Sequence, residues 1–353
     1  MKQIFIHKSI CLTKAECKRI KLSKCHVVLM RNYLLAICLI FLSYSLSFAG
    51  NKLFVLENSA IKVGLLPDVG GRMVFIAPAG EENFLLSDST FWDEPDEKRI
   101  KPSPNVPFKP YFGLTTWVGP QSEWWVHQDL NPGKKQRADV WPPDPYLIYS
   151  NFEIIEKTDT SVIMGCDCSP ISGVKLIKKF VLDKNELHIE HTAINCRDTT
   201  IAWDLWSNAR FDAFTEFKVP VNDESIQKIQ AVENMRNEII AHKVENGYFT
   251  FLPELPLEQR KQRVSKAFIY PCEGKMIVNK NDYTLTINFD LVPKEQIHPE
   301  QALVEVYNCV TTSGRDNVLE LEHHSAYQKI DPGNQISLNE VWQLRKKPTI
   351  DLQ

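Results

Sequence analysis

The chain has 353 residues and a formal net charge of −3. Residues 1–49 hold eight of the Lys/Arg and one of the acids, so the other 304 residues carry 33 basic and 43 acidic side chains, a balance of −10. That balance argues against nucleic acid and anionic membrane surfaces as partners, because both are bound through basic contacts to phosphate. The length accommodates one large domain or two small ones.

Residues 1–29 are basic, carry three cysteines and show no fold pattern. They read as an extension from a mis-set start, with Met30 as the true start. Residues 30–50, "MRNYLLAICLIFLSYSLSFAG", begin with basic Arg31, run through an apolar stretch of about ten residues and end in "SFA". This is the pattern of a secretory signal peptide cleaved after Ala49, too short and too weakly flanked to span a membrane. The expectation is a periplasmic or secreted protein with no membrane contact after cleavage. Beyond the leader remain Cys166, Cys168, Cys196, Cys272 and Cys309. An odd number in an oxidising compartment argues against a disulfide framework, and the expectation is buried free thiols.

The mature chain reads as β almost throughout. "KLFVLE" (52–57), "IKVGLL" (61–66) and "RMVFIA" (72–77) open it. "YLIYSNFEIIEK", "SVIMGC", "VKLIKKFVLD", "ELHIEHTAINC" and "TIAWDLW" follow, then "GYFTFL", "SKAFIY", "KMIVNK", "YTLTINFDLV", "ALVEVYNCV", "VLELEHH" and "QISLNEVWQL". Short alternating segments at this spacing predict an antiparallel sandwich or barrel, with "DKNE" (183–186) turning a hairpin. Two stretches break the pattern. Residues 95–145 hold ten of the 21 prolines and are expected to form neither regular sheet nor helix. Residues 223–240, "DESIQKIQAVENMRNEII", are expected to form a short helix capped by Asp223 or Ser225. No linker or repeat divides the chain after the leader.

Three stretches resemble the galactose mutarotase (aldose 1-epimerase) superfamily: "AIKVGLLPDVGGRMVFI", "AINCRDTTIAWDLWSNARF" and "VLELEHHSAYQKIDPGNQISLNEVWQL". The loop "FGLTTWVGPQSEWW…VWPPDP" is similar to one in exported bacterial members of unknown function. The resemblance covers most of residues 51–345. It implies an all-β supersandwich of large antiparallel sheets as a single domain over 50–353. It also implies a concave face that holds a mono- or oligosaccharide. No His, Asp or Glu set has the spacing of a metal site, and no cofactor is expected.

The residues at hand suit such a ligand. Trp117, Trp124, Trp125 and Trp141 supply rings on which sugar C–H faces lie flat, and Gln121, His127, Asp129 and Asp144 supply hydroxyl partners. The competing reading makes these rings a hydrophobic lid. The two-residue period of a strand puts Glu320, Glu322 and His324 on one face and His323 on the other, and repulsion between the two carboxylates raises one pKa. By resemblance one of the two glutamates is the general base of mutarotation, with the choice left open. The family's Asn-His-x-x-Phe motif, laid on "WSNARF" (206–211), puts Asn208 where the acid histidine stands. An amide cannot deliver a proton at neutral pH, so His127 or His323 becomes the substitute acid. Arg210 is a candidate hydroxyl or carboxylate clamp, and Arg72, after Gly70-Gly71, either faces the pocket or the solvent. The function expected is a carbohydrate-binding, epimerase-like protein. The alternatives are a sugar-binding module without catalysis, or a lyase or hydrolase using Glu320 and Glu322.

Overall fold

The computed structural model describes residues 53–348 except 96, 231–236, 257–261 and 315–316. The extension and signal-peptide readings at 1–49 lie outside the described residues. In chain order the strands are β1 (Phe54–Glu57), β2 (Ile61–Leu66), β3 (Arg72–Pro78), β4 (Leu114–Gly119), β5 (Glu153–Lys157), β6 (Ser161–Gly165), β7 (Val174–Asp183) and β8 (Glu186–Asn195). There follow β9 (Ile201–Phe211), β10 (Glu216–Pro220), β11 (Ile226–Gln230), β12 (Asn237–Glu238), β13 (Ala241–Glu245), β14 (Tyr248–Leu252), β15 (Gln262–Ile269) and β16 (Lys275–Lys280). The last are β17 (Tyr283–Phe289), β18 (Val304–Thr311), β19 (Val318–His324), β20 (Gln328–Ile330) and β21 (Gln335–Lys346). Two short helices, α1 (Pro132–Arg137) and α2 (Pro145–Ile148), lie in the proline-rich stretch.

These strands form the expected all-β sandwich of two large sheets. One runs β1-β2-β3-β4-β9-β19-β18-β15-β11, with β12 beside β15 and β20 beside β9. The other runs β13-β14-β10-β16-β17-β21-β8-β7-β6-β5. The β7–β8 hairpin turns at the predicted place, with Lys184 taking the left-handed conformation at φ 54°.

Burial separates the two sheets. In β7 and β21 buried and solvent-facing residues alternate, as expected of a sheet with one wet face. In β4 every residue is buried, and in β9 every residue from Trp203 to Phe211. The first sheet is therefore covered on both faces at its centre. One cover is the second sheet: Ser207 Oγ donates to Glu340 Oε1 at 2.6 Å, and Thr116 Oγ1 meets His191 Nδ1 at 3.1 Å across the sandwich. The other is the tryptophan-rich stretch, whose Trp124 packs 5.9 Å from Trp206 of β9.

Four expectations need correction. β4 is a regular strand inside the proline-rich stretch; Pro110 and Pro120 flank residues 114–119 and leave them free to pair along β9. "YLIY" begins as helix rather than strand, since buried Asp144 caps the turn by accepting from Tyr146 N at 2.9 Å and Pro145 occupies its first position. The expected helix over 223–240 is strand where described: Ile226–Gln230 pairs with β15, and Ser225 bonds back to Asn222 in a turn instead of capping. Its isoleucines fit a half-buried ladder as well as a helix face, and the neighbouring strand decided the outcome. Finally, Cys168 and Cys196 form a disulfide, while Cys166, Cys272 and Cys309 are free. The two partners are 28 residues apart in sequence but follow β6 and β8, which both flank β7.

Candidate functional site

Register builds the site. Across β9 and β19, Arg210 stands opposite Glu320, Asn208 opposite Glu322 and Trp206 opposite His324. β4 adds Thr115 beside Asn208 and Trp117 beside Trp206. On the far side β18 sets Glu305 against Glu322 and Tyr307 against Glu320, and β15 sets Lys266 against Tyr307. The strand period of two keeps all of these on the face turned away from the second sheet.

The contacts are close and mostly charged. Arg210 Nε donates to Glu320 Oε1 at 2.7 Å and Nη1 to Thr115 Oγ1 at 2.8 Å, with the guanidinium over the Trp117 ring at 5.1 Å. Asn208 Nδ2 donates to Glu320 Oε2 at 3.3 Å and to Glu322 Oε1 at 3.4 Å, so one amide spans both carboxylates. Glu322 also accepts from Trp206 Nε1 and Lys266 Nζ, each at 3.1 Å, and the same ammonium lies 2.5 Å from Glu305. Beyond Glu305, His324 and the wholly buried Asp204 continue the polar row, 3.5 Å apart.

The two glutamates are pushed in opposite directions. Burial raises both, but at Glu320 the Arg210 charge together with hydrogen bonds from Glu322, Asn208 and Arg210 outweighs it and holds the carboxyl below the usual range. At Glu322 burial, against Lys266 and with the like charges of Glu320 and Glu305 added, drives the carboxyl well above it. The two carboxyls are thus split, with Glu322 the one that takes up a proton more readily. Burial works against the Lys266 ammonium too, and Glu305 and Glu322 together keep it protonated. Three buried polar atoms here lack a hydrogen-bond partner among the described residues: Trp117 Nε1, Asn208 Oδ1 and Arg210 Nη2. A buried donor or acceptor without a partner costs about 1–3 kcal/mol, so this concentration marks a place built to meet a polar group.

The other sequence candidates divide. Trp124 and Trp125 are 1% and 0% exposed, and their Nε1 atoms donate to the Val118 and Pro142 carbonyls. Neither ring has a free face, so the lid reading holds for both. Trp117 is buried under Arg210, and Trp141, 50% exposed, stacks its edge 6.2 Å from Trp117 and packs on Phe108. Gln121 is half-buried at the start of the 3-10 turn 121–123. His127 stands apart: it bonds Glu123 at 2.8 Å and touches the Trp203 ring, about 16 Å along β9 from Asn208. His323 lies on the inter-sheet side, stacked on Phe289 at 4.6 Å, and burial lowers its pKa to about 4. Neither histidine reaches the carboxylates as an acid. Arg72 is buried and spends both Nη atoms on carbonyls, of Phe112 at 2.7 Å and Ile148 at 3.2 Å, strapping the loop to the sheet. Asp144 is a helix cap and Asp129 pairs with Lys135 on the surface.

Lys266, Glu305 and Trp206 escaped the sequence reading. A signal was present: "SKAFIY" and "LVEVY" each carry one charge inside an apolar strand, which a buried face tolerates only when the charges meet.

Residues 52–345 match the model of a domain of unknown function, DUF4380. The chain belongs to that family. Comparison by sequence with curated proteins finds no match. Among solved structures, a galactose mutarotase-like protein from Lactobacillus casei is 12% identical, covering 83% of this chain and all of its own at a TM-score of 0.55. A galactose mutarotase-like protein from Clostridium acetobutylicum (8%, 83% and 95% of the chains, TM-score 0.50) and a candidate aldose 1-epimerase from Escherichia coli K12 (11%, 84% and 100%, TM-score 0.50) are similar in the same way. This DUF4380 chain thus has the galactose mutarotase-like fold, and the likeness at these identities carries the fold alone.

Proposed function

We propose that this DUF4380 protein binds a saccharide over Glu320 and exchanges its anomers, with Glu320 and Glu322 as the acid–base pair. The observation that supports it is two carboxylates bridged by the Asn208 amide and pushed in opposite directions, beside three unpartnered buried polar atoms. Ionised Glu320 takes the proton of the anomeric hydroxyl while Glu322 protonates the ring oxygen. The C1–O bond breaks, the carbonyl rotates, and reclosure from the other face reverses both transfers. The pair holds one proton before and after ring opening, so neither step leaves a second charge in the site. Trp117 Nε1, Asn208 Oδ1 and Arg210 Nη2 supply directional partners for hydroxyls, and Trp141 supplies an open ring. The Cys168–Cys196 disulfide supports the export of the protein, with cleavage after Ala49.

A second reading, binding without catalysis, is favoured by the 1% exposure of Glu322 and by the Arg210 ion pair, which makes Glu320 a weaker base. Optical rotation of freshly dissolved α-aldoses separates the two. Decay faster than the spontaneous rate, lost in Glu322→Gln, supports the exchange. Spontaneous decay together with sugar quenching of tryptophan fluorescence leaves the binder, and neither effect removes saccharides from the account.

A further inference from the structure

A cleft of about 650 Å³ lies away from the carboxylates. It opens where β11 begins and β15 ends, and its walls include Asn222, Glu224, Gln227, Tyr270, Leu291 and Lys294. That volume lies within the range that small ligands occupy. Strand period ties it to the site. Lys266, Phe268 and Tyr270 are alternate residues along β15 and its continuation, and Lys266 touches Glu322 at 3.1 Å, so Tyr270 points to the same face about 13 Å further along. Each of the three is half-buried.

Rings and cations recur along this path. Lys266 Nζ lies 4.9 Å from the Trp206 ring and 5.7 Å from Phe268. Lys228 Nζ is 5.7 Å from the other side of the row at Phe268, and Lys294 Nζ is 5.2 Å from Tyr270. Lys266 is neutralised by its glutamates, but Lys228 and Lys294 make no ion pair among the described residues; Lys294 bonds only the Gln227 amide. Two exposed cations without counter-ions stand beside aromatic rings on a protein whose overall balance is acidic. A neutral sugar needs the rings alone, whereas a carboxylated sugar uses both.

We propose that the Tyr270–Lys294 cleft is a distal subsite for a carboxylate-bearing sugar, so that the protein takes an acidic oligosaccharide with one end over Glu320. This rests on the saccharide reading of the carboxylate site and extends it. Equilibrium binding of galacturonate, tetragalacturonate and maltotetraose, followed by tryptophan fluorescence in the full chain, tests it. The tetrauronide is expected to bind at least tenfold more tightly than the monomer and than maltotetraose. Tyr270→Ala and the double variant Lys228→Met/Lys294→Met are expected to remove that gain while monomer affinity stays. Lys228 and Lys294 are exposed and Tyr270 is half-buried, and an unchanged circular dichroism spectrum checks the fold of each variant. Equal affinity for the neutral and acidic chains, or a gain untouched by both variants, overturns the subsite. The two proposals fail separately: monomer binding without a chain-length gain sinks only the subsite. A gain that needs Tyr270, with no anomer exchange, sinks only the catalytic reading.

Discussion

Arg210 and Glu320 face each other in register across β9 and β19, and Nε donates to Oε1 at 2.7 Å with the arginine side chain 1% and the glutamate 17% exposed. The buried partner is the cation and the accessible one is the carboxylate. An ion pair arranged this way keeps a negative charge at the rim of a covered face, where a ligand can reach it.

Arg210→Met removes that counter-charge. The Glu320 carboxyl then loses the charge that helps to hold it low and moves up under burial. With ionised Glu320 as the proposed base, the acid limb of the exchange-rate profile is expected to shift to higher pH. A limb that stays in place separates Glu320 from the chemistry.

The lid and the platform respond differently to truncation. Trp125→Ala empties a fully buried site and is expected to cost about 3–5 kcal/mol in denaturant unfolding. Trp141→Ala, half-exposed, is expected to leave stability within about 1 kcal/mol and to weaken saccharide binding roughly tenfold. Sugar affinity unaltered by Trp141→Ala assigns all four rings to the lid.

His323 makes the fold acid-sensitive. Its pKa is about 6.5 unfolded and about 4 in the fold, so the unfolded chain binds more protons and stability falls as pH drops through this window. Between pH 7 and pH 5 the loss from this one group is about 2 kcal/mol. His323→Phe, which keeps the stack on Phe289, is expected to flatten that part of the profile; an equal slope in both proteins assigns the acid sensitivity to other groups.

Reduction tests the crosslink. Cys168 and Cys196 close a span of 28 residues, for which the chain-entropy model gives about 3–4 kcal/mol. Dithiothreitol, or Cys196→Ser, is expected to lower the melting temperature. Identical melting before and after reduction shows that the bond does not form.

Much of the fold was legible. Segments such as "VKLIKKFVLD" and "QISLNEVWQL" alternate over part of their length because one face meets the core and the other meets water, and they became β7 and β21 with boundaries nearly as read. β4 was hidden because both of its faces are covered, which erases the alternation, and because prolines crowd its ends. The facing of Glu320 and Glu322 was also legible, since residues two apart in one strand share a side. The failures of His127 and His323 as acids were not, because nothing local says that one sits by Trp203 and the other between the sheets.

The amino-acid order by itself determined most of the strands and, where one face meets water, which side of each is polar, since both follow from a period of two along one chain. Tertiary structure alone decided who stands across from whom: that Arg210 meets Glu320, that Asn208 spans two carboxylates, and that Lys266 arrives from a strand more than fifty residues before Glu322 in the chain. Strand order and register are set by the whole sheet, and the opposite shifts of the two glutamates depend on those neighbours, so no single segment encodes them.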